Sequence, residues 1–140
     1  MSKRLTNIVV CAIIERDGKI FLAKRADTKA TLPGNYEILG GHLDPGEDLE
    51  VALKREVREE IGVEVEVVCI THAFTYESEG VFKVEICYLC RLLPGNEPML
   101  NPEDHSESKW IDETEVGLIA DNDPEAVAVH KAFNILKGVN

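Results

Sequence analysis

No run of about 18 apolar residues occurs anywhere in the sequence, and its N-terminus lacks the apolar stretch and small-residue cleavage site of a secretory signal. A membrane-spanning helix is therefore excluded, and a cytoplasmic location is expected. Positive charge is also scarce, with 15 Lys and Arg against 26 Asp and Glu and a formal net charge of −11. Such a surface repels polyphosphate backbones and anionic headgroups, so no nucleic-acid polymer and no membrane is expected as a partner. An anionic small-molecule substrate stays open only if a metal cation accompanies it, because carboxylates alone cannot stabilise phosphate charge. Internal repeats, low-complexity tracts and Pro/Gly/Ser-rich linkers are missing as well, so residues 1–140 read as a single domain. The 44% hydrophobic fraction is enough to build its core.

Cysteine is limited to Cys11, Cys69, Cys87 and Cys90. The last two form C-x-x-C, but within a probable strand, where positions i and i+3 point to opposite faces and cannot chelate one ion together. Buried, inert thiols are expected.

Asn7–Glu15 is a continuous apolar, β-branched run closed by Asp17-Gly18, and Lys19–Arg25 resumes as its hairpin partner. Pro33-Gly34-Asn35 marks a turn, Tyr36–Gly41 a short extended piece, and His42–Glu47 a loop with Pro45-Gly46 at its tip. Asp48 or its neighbour caps a helix that runs to about Ile61 and stops at Gly62. Strands are expected at Val63–Tyr76, Val81–Leu92 and Ser106–Ile111, and a last helix at Pro124–Lys137. This order implies an α+β fold with a mixed sheet and helices packed on its faces.

The first helix carries the chemistry. On a helical wheel Leu49, Ala52, Leu53, Val57 and Ile61 form an apolar arc; Glu56 and Glu60 fall inside it, Glu59 stands at its border beside Arg55, and Lys54 and Arg58 lie opposite. Carboxylates at i, i+3 and i+4 against an apolar face repel one another and resist desolvation unless a cation sits among them. Oxygen ligands select a hard ion, Mg2+ first and Mn2+ as a substitute. A salt-bridged surface helix would carry the same composition, and the preceding loop decides between the two.

From Gly41 the chain reads glycine, five residues, Glu47, seven residues, then Arg55-Glu56-Val57-Arg58-Glu59-Glu60-Ile61-Gly62-Val63. This resembles the Nudix box, G-x5-E-x7-R-E-U-x-E-E-x-G-U with U aliphatic, at every specified position from 41 to 63. The resemblance implies an α/β/α sandwich and a metal-dependent hydrolase of nucleoside diphosphates linked to a further group. It places metal ligands at Glu56, Glu59, Glu60 and the main-chain carbonyl of Gly40. Arg55 would pair with Glu47 across the turn, and Gly40 and Gly41 would allow close backbone approach to metal and phosphate. Leu39 stands where relatives often carry proline.

Glu59 is the first candidate for the catalytic base, with Glu103, Asp104, His105 and Glu107 of the Asn101–Ser108 loop as alternates. Lys24-Arg25-Ala26 resembles the MutT branch, in which an arginine at this place contacts phosphate, and Asn122-Asp123-Pro124 resembles its base-reading segment. Asn122 before a helix is equally a cap or turn residue. Trp110 is expected in the core. Segments that mark NADH, coenzyme A, ADP-ribose or dinucleoside-polyphosphate enzymes are not visible, Glu79 and Val81 standing near the expected offsets. By elimination the leading reading is a MutT-like nucleoside triphosphate pyrophosphohydrolase, possible also on oxidised nucleotides. ADP-ribose or another nucleoside diphosphate derivative is second, and a non-catalytic nucleotide-binding regulator third. The apolar strand Val63–Ile70 could support a homodimer.

Overall fold

The structure, a computed structural model, describes residues 5–28, 34–120 and 122–138; Pro33 of the expected turn lies outside the described residues. The N-terminal apolar run forms β1 (Thr6–Arg16), whose two faces serve two separate cores. Val9, Cys11 and Ile13 join one cluster and Val10, Ala12 and Ile14 the other, which is why the strand lacks polar alternation. Asp17 (φ 53°) and Gly18 (φ 80°) supply the two left-handed residues of a tight hairpin turn into β2 (Lys19–Arg25).

The hairpin is shorter than the sequence suggests. β1 and β2 pair only at Glu15–Ile20 and Arg16–Lys19, then diverge. The gap explains why the expected extended piece Tyr36–Gly41 divides into two strands: β3 (Tyr36–Glu37) pairs with β2, and β4 (Leu39–His42) pairs with β1 at Val9–Ala12. After α1 (Leu49–Ile61), β5 (Val65–Ser78) and β6 (Val81–Leu92) form an antiparallel pair, and β6 lies parallel to β1 from Thr6–Phe82 to Glu15–Arg91. β7 (His105–Ile111) completes the mixed sheet on the far edge of β2.

Helix α1 buries Ala52, Leu53, Val57 and Ile61 on one side of this sheet. On the other side α2 (Pro124–Leu136) buries Ala128, Val129, Ala132 and Phe133. The result is the expected α/β/α sandwich. A short 3-10 helix, Glu113–Leu118, was not foreseen; it forms because Asp112 and Glu115 make a capping box and Val116 is buried. Cys87 and Cys90 belong to opposite cores, as strand geometry requires, and all four cysteines are free thiols. Trp110 packs edge-on against Phe21 at 5.2 Å, with the Arg16 guanidinium 4.4 Å from its ring centre. No helix among the described residues is long and apolar enough to cross a membrane.

Gly62 ends α1 in the left-handed region (φ 69°), and its N–H donates to the Arg58 carbonyl. Gly62→Ala should therefore lower stability by about 1 kcal/mol through backbone strain alone, measurable as a reduced urea midpoint with unchanged slope.

Candidate active site

Asp48 caps α1 by accepting the Glu50 N–H at 3.2 Å, so the helix starts directly after the Pro45-Gly46 loop. The loop is tied to the helix by one side chain. Arg55 donates from Nε and Nη2 to the two Glu47 oxygens, both at 2.8 Å, in the bidentate geometry expected of this pair. Glu47 also accepts the Asp44 N–H at 2.9 Å, and these bonds, the Arg55 one foremost, hold its carboxyl down to about 2. The same pairing raises the Arg55 pKa further above its ordinary value.

The Nη1 of Arg55 reaches two of the expected metal ligands, Glu56 at 3.1 Å and Glu59 at 3.3 Å. Glu56 is 16% exposed and Glu59 60%, matching their places inside and at the border of the apolar arc. Burial raises the Glu56 pKa, an effect Arg55 opposes. Burial pushes Glu60 up to about 8, aided by the charges of Glu56, Glu37 and Asp104 and opposed by a hydrogen bond from the Gly40 backbone.

Both glycines are required by space. A Cβ on Gly41 would lie 2.2 Å from the Glu56 carboxyl carbon, and one on Gly40 would lie 2.4 Å from the Val10 carbonyl oxygen and 2.5 Å from Cys11 Sγ. β4 thus presses its bare backbone between β1 and the α1 carboxylates. Three partly desolvated carboxylates beside a main-chain segment form an oxygen-only donor set, and it suits a hard divalent cation.

Gly40, Glu56, Glu59 and Glu60 line one end of a cavity of about 560 Å³ that also takes in Arg25, Glu37, Asp104, His105, Glu85 and Glu125. A second cavity of about 610 Å³ shares Arg25, Glu37, Tyr76, Glu85 and Glu125 with the first and adds Tyr36, Phe74 and Lys83. Their shared lining makes them one cleft, with Glu56, Glu59 and Glu60 in the first part, Tyr36 and Phe74 among further carboxylates in the second, and Arg25 common to both.

The expected site residues are not all brought there. Asp104 and His105 line the first cavity; Glu103 and Glu107 do not, and Glu107 is engaged by Lys24 at 3.2 Å and the Tyr36 hydroxyl at 3.3 Å. His105 is 4% exposed, with Nε2 on Glu37. Asn122 is exposed with φ 64° and lies outside the lining of both cavities. It occupies the turn before α2, while Asp123 caps the helix by accepting the Glu125 N–H at 2.9 Å, and Asp123 and Glu125 line the cleft instead.

Glu37, Glu85 and Glu125 were not foreseen as cleft residues. Glu85 could have been: it is a single carboxylate in the middle of an otherwise apolar strand core, and it is 3% exposed. It accepts the Tyr76 hydroxyl at 3.2 Å. Cys11, Glu85 and Glu125 gather their polar atoms within 4.8 Å of one another, closer than the box glutamates come. Burial and the neighbouring Glu85 charge push Glu125 well up, and a hydrogen bond to Cys87 together with burial does the same for the Cys11 thiol. A thiol is a poor ligand for a hard cation, so the oxygen-only set on α1 suits one better.

Comparison with known proteins agrees with this fold. The family model described as the NUDIX domain matches residues 4–133. The nucleoside triphosphatase NudI of Salmonella agona is 30% identical over 121 residues, covering 79% of this chain and 84% of that protein. NudI of Escherichia coli K12 is 48% identical over a shorter stretch of 54 residues, 39% of this chain and 38% of that protein. Among solved structures, the MutT NUDIX hydrolase of Burkholderia pseudomallei superposes with a TM-score of 0.78 at 25% identity, covering 91% of this chain and 98% of that one. The Escherichia coli ORF135 protein superposes with a TM-score of 0.74 at 30% identity, covering 96% and 92%.

The two extreme carboxyls of the site act oppositely on stability. Glu60, raised from 4.5 to about 8, keeps in the folded state a proton that the unfolded chain releases, so metal-free stability falls as pH rises across that window. Glu47, lowered to about 2, stabilises above the unfolded value of 4.5, and its contribution is lost as pH falls toward 2. In EDTA the urea midpoint should therefore drop between pH 5 and pH 8, and Glu60→Gln should make that drop measurably shallower, the remainder belonging to Glu56 and Glu125, which are raised in the same direction. A variant with the wild-type slope would assign the proton to another group.

Proposed function

The chain belongs to the Nudix hydrolases, enzymes that generally depend on a divalent metal, and from that premise we propose that it is a Mg2+-dependent pyrophosphohydrolase that converts a nucleoside triphosphate to the monophosphate and pyrophosphate. The observation that carries the reading is the single cleft that joins the α1 glutamates, through Arg25, to an aromatic pocket. A nucleotide would lie in it with the phosphates toward Glu56, Glu59 and Glu60. The names of the NudI relatives, which are nucleoside triphosphatases, support the same class of substrate.

In this reading Glu56, Glu59, Glu60 and the Gly40 carbonyl hold Mg2+, with Mn2+ as a substitute. When bound, the ion supplies charge neutralisation at phosphate oxygens and acidifies a coordinated water. Glu59, the most hydrated of the three at 60% exposure, takes the proton of the attacking water, with Asp104 across the cavity as the alternate base. Arg55, braced by Glu47, keeps Glu56 and Glu59 in place, and Gly41 leaves room for the Glu56 carboxylate against β4, beside the substrate it would help to hold. Arg25 holds the phosphate tail.

Tyr36, Phe74 and Tyr76 offer apolar ring surface for the base. Polar reading of the base passes from Asn122, which faces solvent, to Glu125 of the same α2 N-terminus. The protein would act on free nucleotides rather than nucleic-acid polymers or membranes, and in the cytoplasm. The exposed Val68 and Ile70 of edge strand β5 would serve a homodimer. A second reading, ADP-ribose or a related nucleoside diphosphate derivative, would use the same carboxylate end with the second moiety in the aromatic pocket. A non-catalytic regulator fits poorly with three intact, mutually repelling carboxylates.

A panel of ordinary and oxidised nucleoside triphosphates, with products identified, tests the proposal. Monophosphate plus pyrophosphate is expected, and EDTA should abolish turnover while Zn2+ restores it weakly. Inorganic phosphate as the sole phosphate product would overturn it, and ADP-ribose as best substrate by a wide margin would promote the second reading. Glu56→Gln should cut kcat by at least about 100-fold without loss of folded stability. Glu125→Gln should flatten the preference among bases, whereas Asn122→Ala should leave it unchanged.

A further inference from the structure

His105 was an alternate base, but its surroundings assign it a different task. It lies opposite Arg25 where the β2–β7 register shifts after Lys24, a local irregularity of the kind that re-aims side chains. Its Nε2 is 2.8 Å from Glu37 Oε2, and Glu37 in turn receives Arg25 Nη1 at 3.3 and 3.4 Å on its two oxygens. An ionised carboxylate only accepts, so Nε2 carries the hydrogen and donates it. Nδ1 is buried and has no hydrogen-bond partner among the described residues. A hydrogen there would be desolvated without an acceptor, which favours the tautomer with its hydrogen on Nε2.

We infer that His105 is a positioning residue: it locks Glu37, and Glu37 holds the Arg25 guanidinium at the place where the substrate's phosphates bind. The need for a lock follows from charge and entropy. Glu37 lines the same cavity as Glu56, Glu59 and Glu60, and an untethered carboxylate there would repel phosphate and could swing away from Arg25. Clamped between a buried ring and a guanidinium, it spends its charge on Arg25 and restricts that long side chain before substrate arrives. The three residues sit on β2, β3 and β7, so the arrangement is built into the sheet and not into a loop. This inference rests on the reading of Arg25 as the phosphate-binding residue.

The test exploits the difference between the two ring nitrogens. The amide nitrogen of Gln can replace the Nε2 donor, whereas that of Asn falls near Nδ1. With a nucleoside triphosphate and saturating Mg2+, His105→Leu and His105→Asn should raise KM roughly tenfold with kcat within about twofold of wild type, and His105→Gln should restore most of the loss. A non-hydrolysable triphosphate analogue should show the same order of Kd by calorimetry. Glu37→Gln, an isosteric change on the other side of the bond, should reproduce the KM effect if the His105 variants fold poorly. Combined with Arg25→Ala, His105→Leu should add nothing further. A raised KM for Arg25→Ala with wild-type KM for His105→Leu and Glu37→Gln would overturn this inference alone. An unchanged KM for Arg25→Ala would overturn both it and the phosphate reading. A selective loss of kcat in His105→Leu would make His105 a catalytic residue and overturn the positioning role.

Discussion

The bidentate pair of Arg55 and Glu47 is the constraint on which the site's geometry depends. Two 2.8 Å bonds join the helix to a loop that contains Pro45 and Gly46 and has little packing of its own. The remaining arm of the same guanidinium restrains Glu56 and Glu59. One planar side chain therefore sets both the spacing of the loop from α1 and the aim of two expected ligands, which a single ammonium charge could not do. The opposite wall is fixed independently, because β4 is hydrogen-bonded to the fully buried centre of β1. The candidate cation site is thus a gap between these two pieces.

Such a gap is unfavourable by itself. Glu56 and Glu60 occupy the helix face that meets the sheet, and burial there disfavours the charged form of Glu60, pushing its carboxyl up to about 8. The fold tolerates this because the sheet is covered on both sides and β1 contributes buried residues to two cores. The sandwich supplies stability in excess of what the site removes, a common relation between scaffold and function.

What was legible in the sequence follows the range of the interactions involved. The α1 helix, its Asp48 cap, its Gly62 stop and the Arg55–Glu47 pair all arise within about four turns of chain, so pattern and spacing sufficed. The early divergence of β1 from β2, the division of Tyr36–Gly41 and the parallel pairing of β1 with β6 depend on register between distant segments and left no local trace. The same holds for Glu37, whose partner His105 is 68 positions away. The expectation for Asn122 rests on a resemblance that carries no information on its backbone; the residue has a positive φ and lies outside the lining of both cavities, whereas Asp123 caps α2 and Glu125 lines the cleft.

The electrostatics of the cleft bear on the form in which a phosphate substrate can enter. Among the described residues lining the two cavities, the permanently cationic ones are Arg25 and Lys83, against the carboxyl groups of Glu37, Glu56, Glu59, Glu60, Glu77, Glu79, Glu85, Asp104, Asp123 and Glu125. The chain as a whole adds a charge of −11. A triphosphate of roughly −4 would face repulsion over its whole approach, whereas its complex with a divalent cation carries about half that charge. Arg25 contributes less than a full attraction, because Glu37 already shares its guanidinium. Its value lies in direction more than in charge. So acidic a cleft disfavours bare anions, and in the proposed reading the cation that would complete the α1 carboxylates would also make a phosphate acceptable to it.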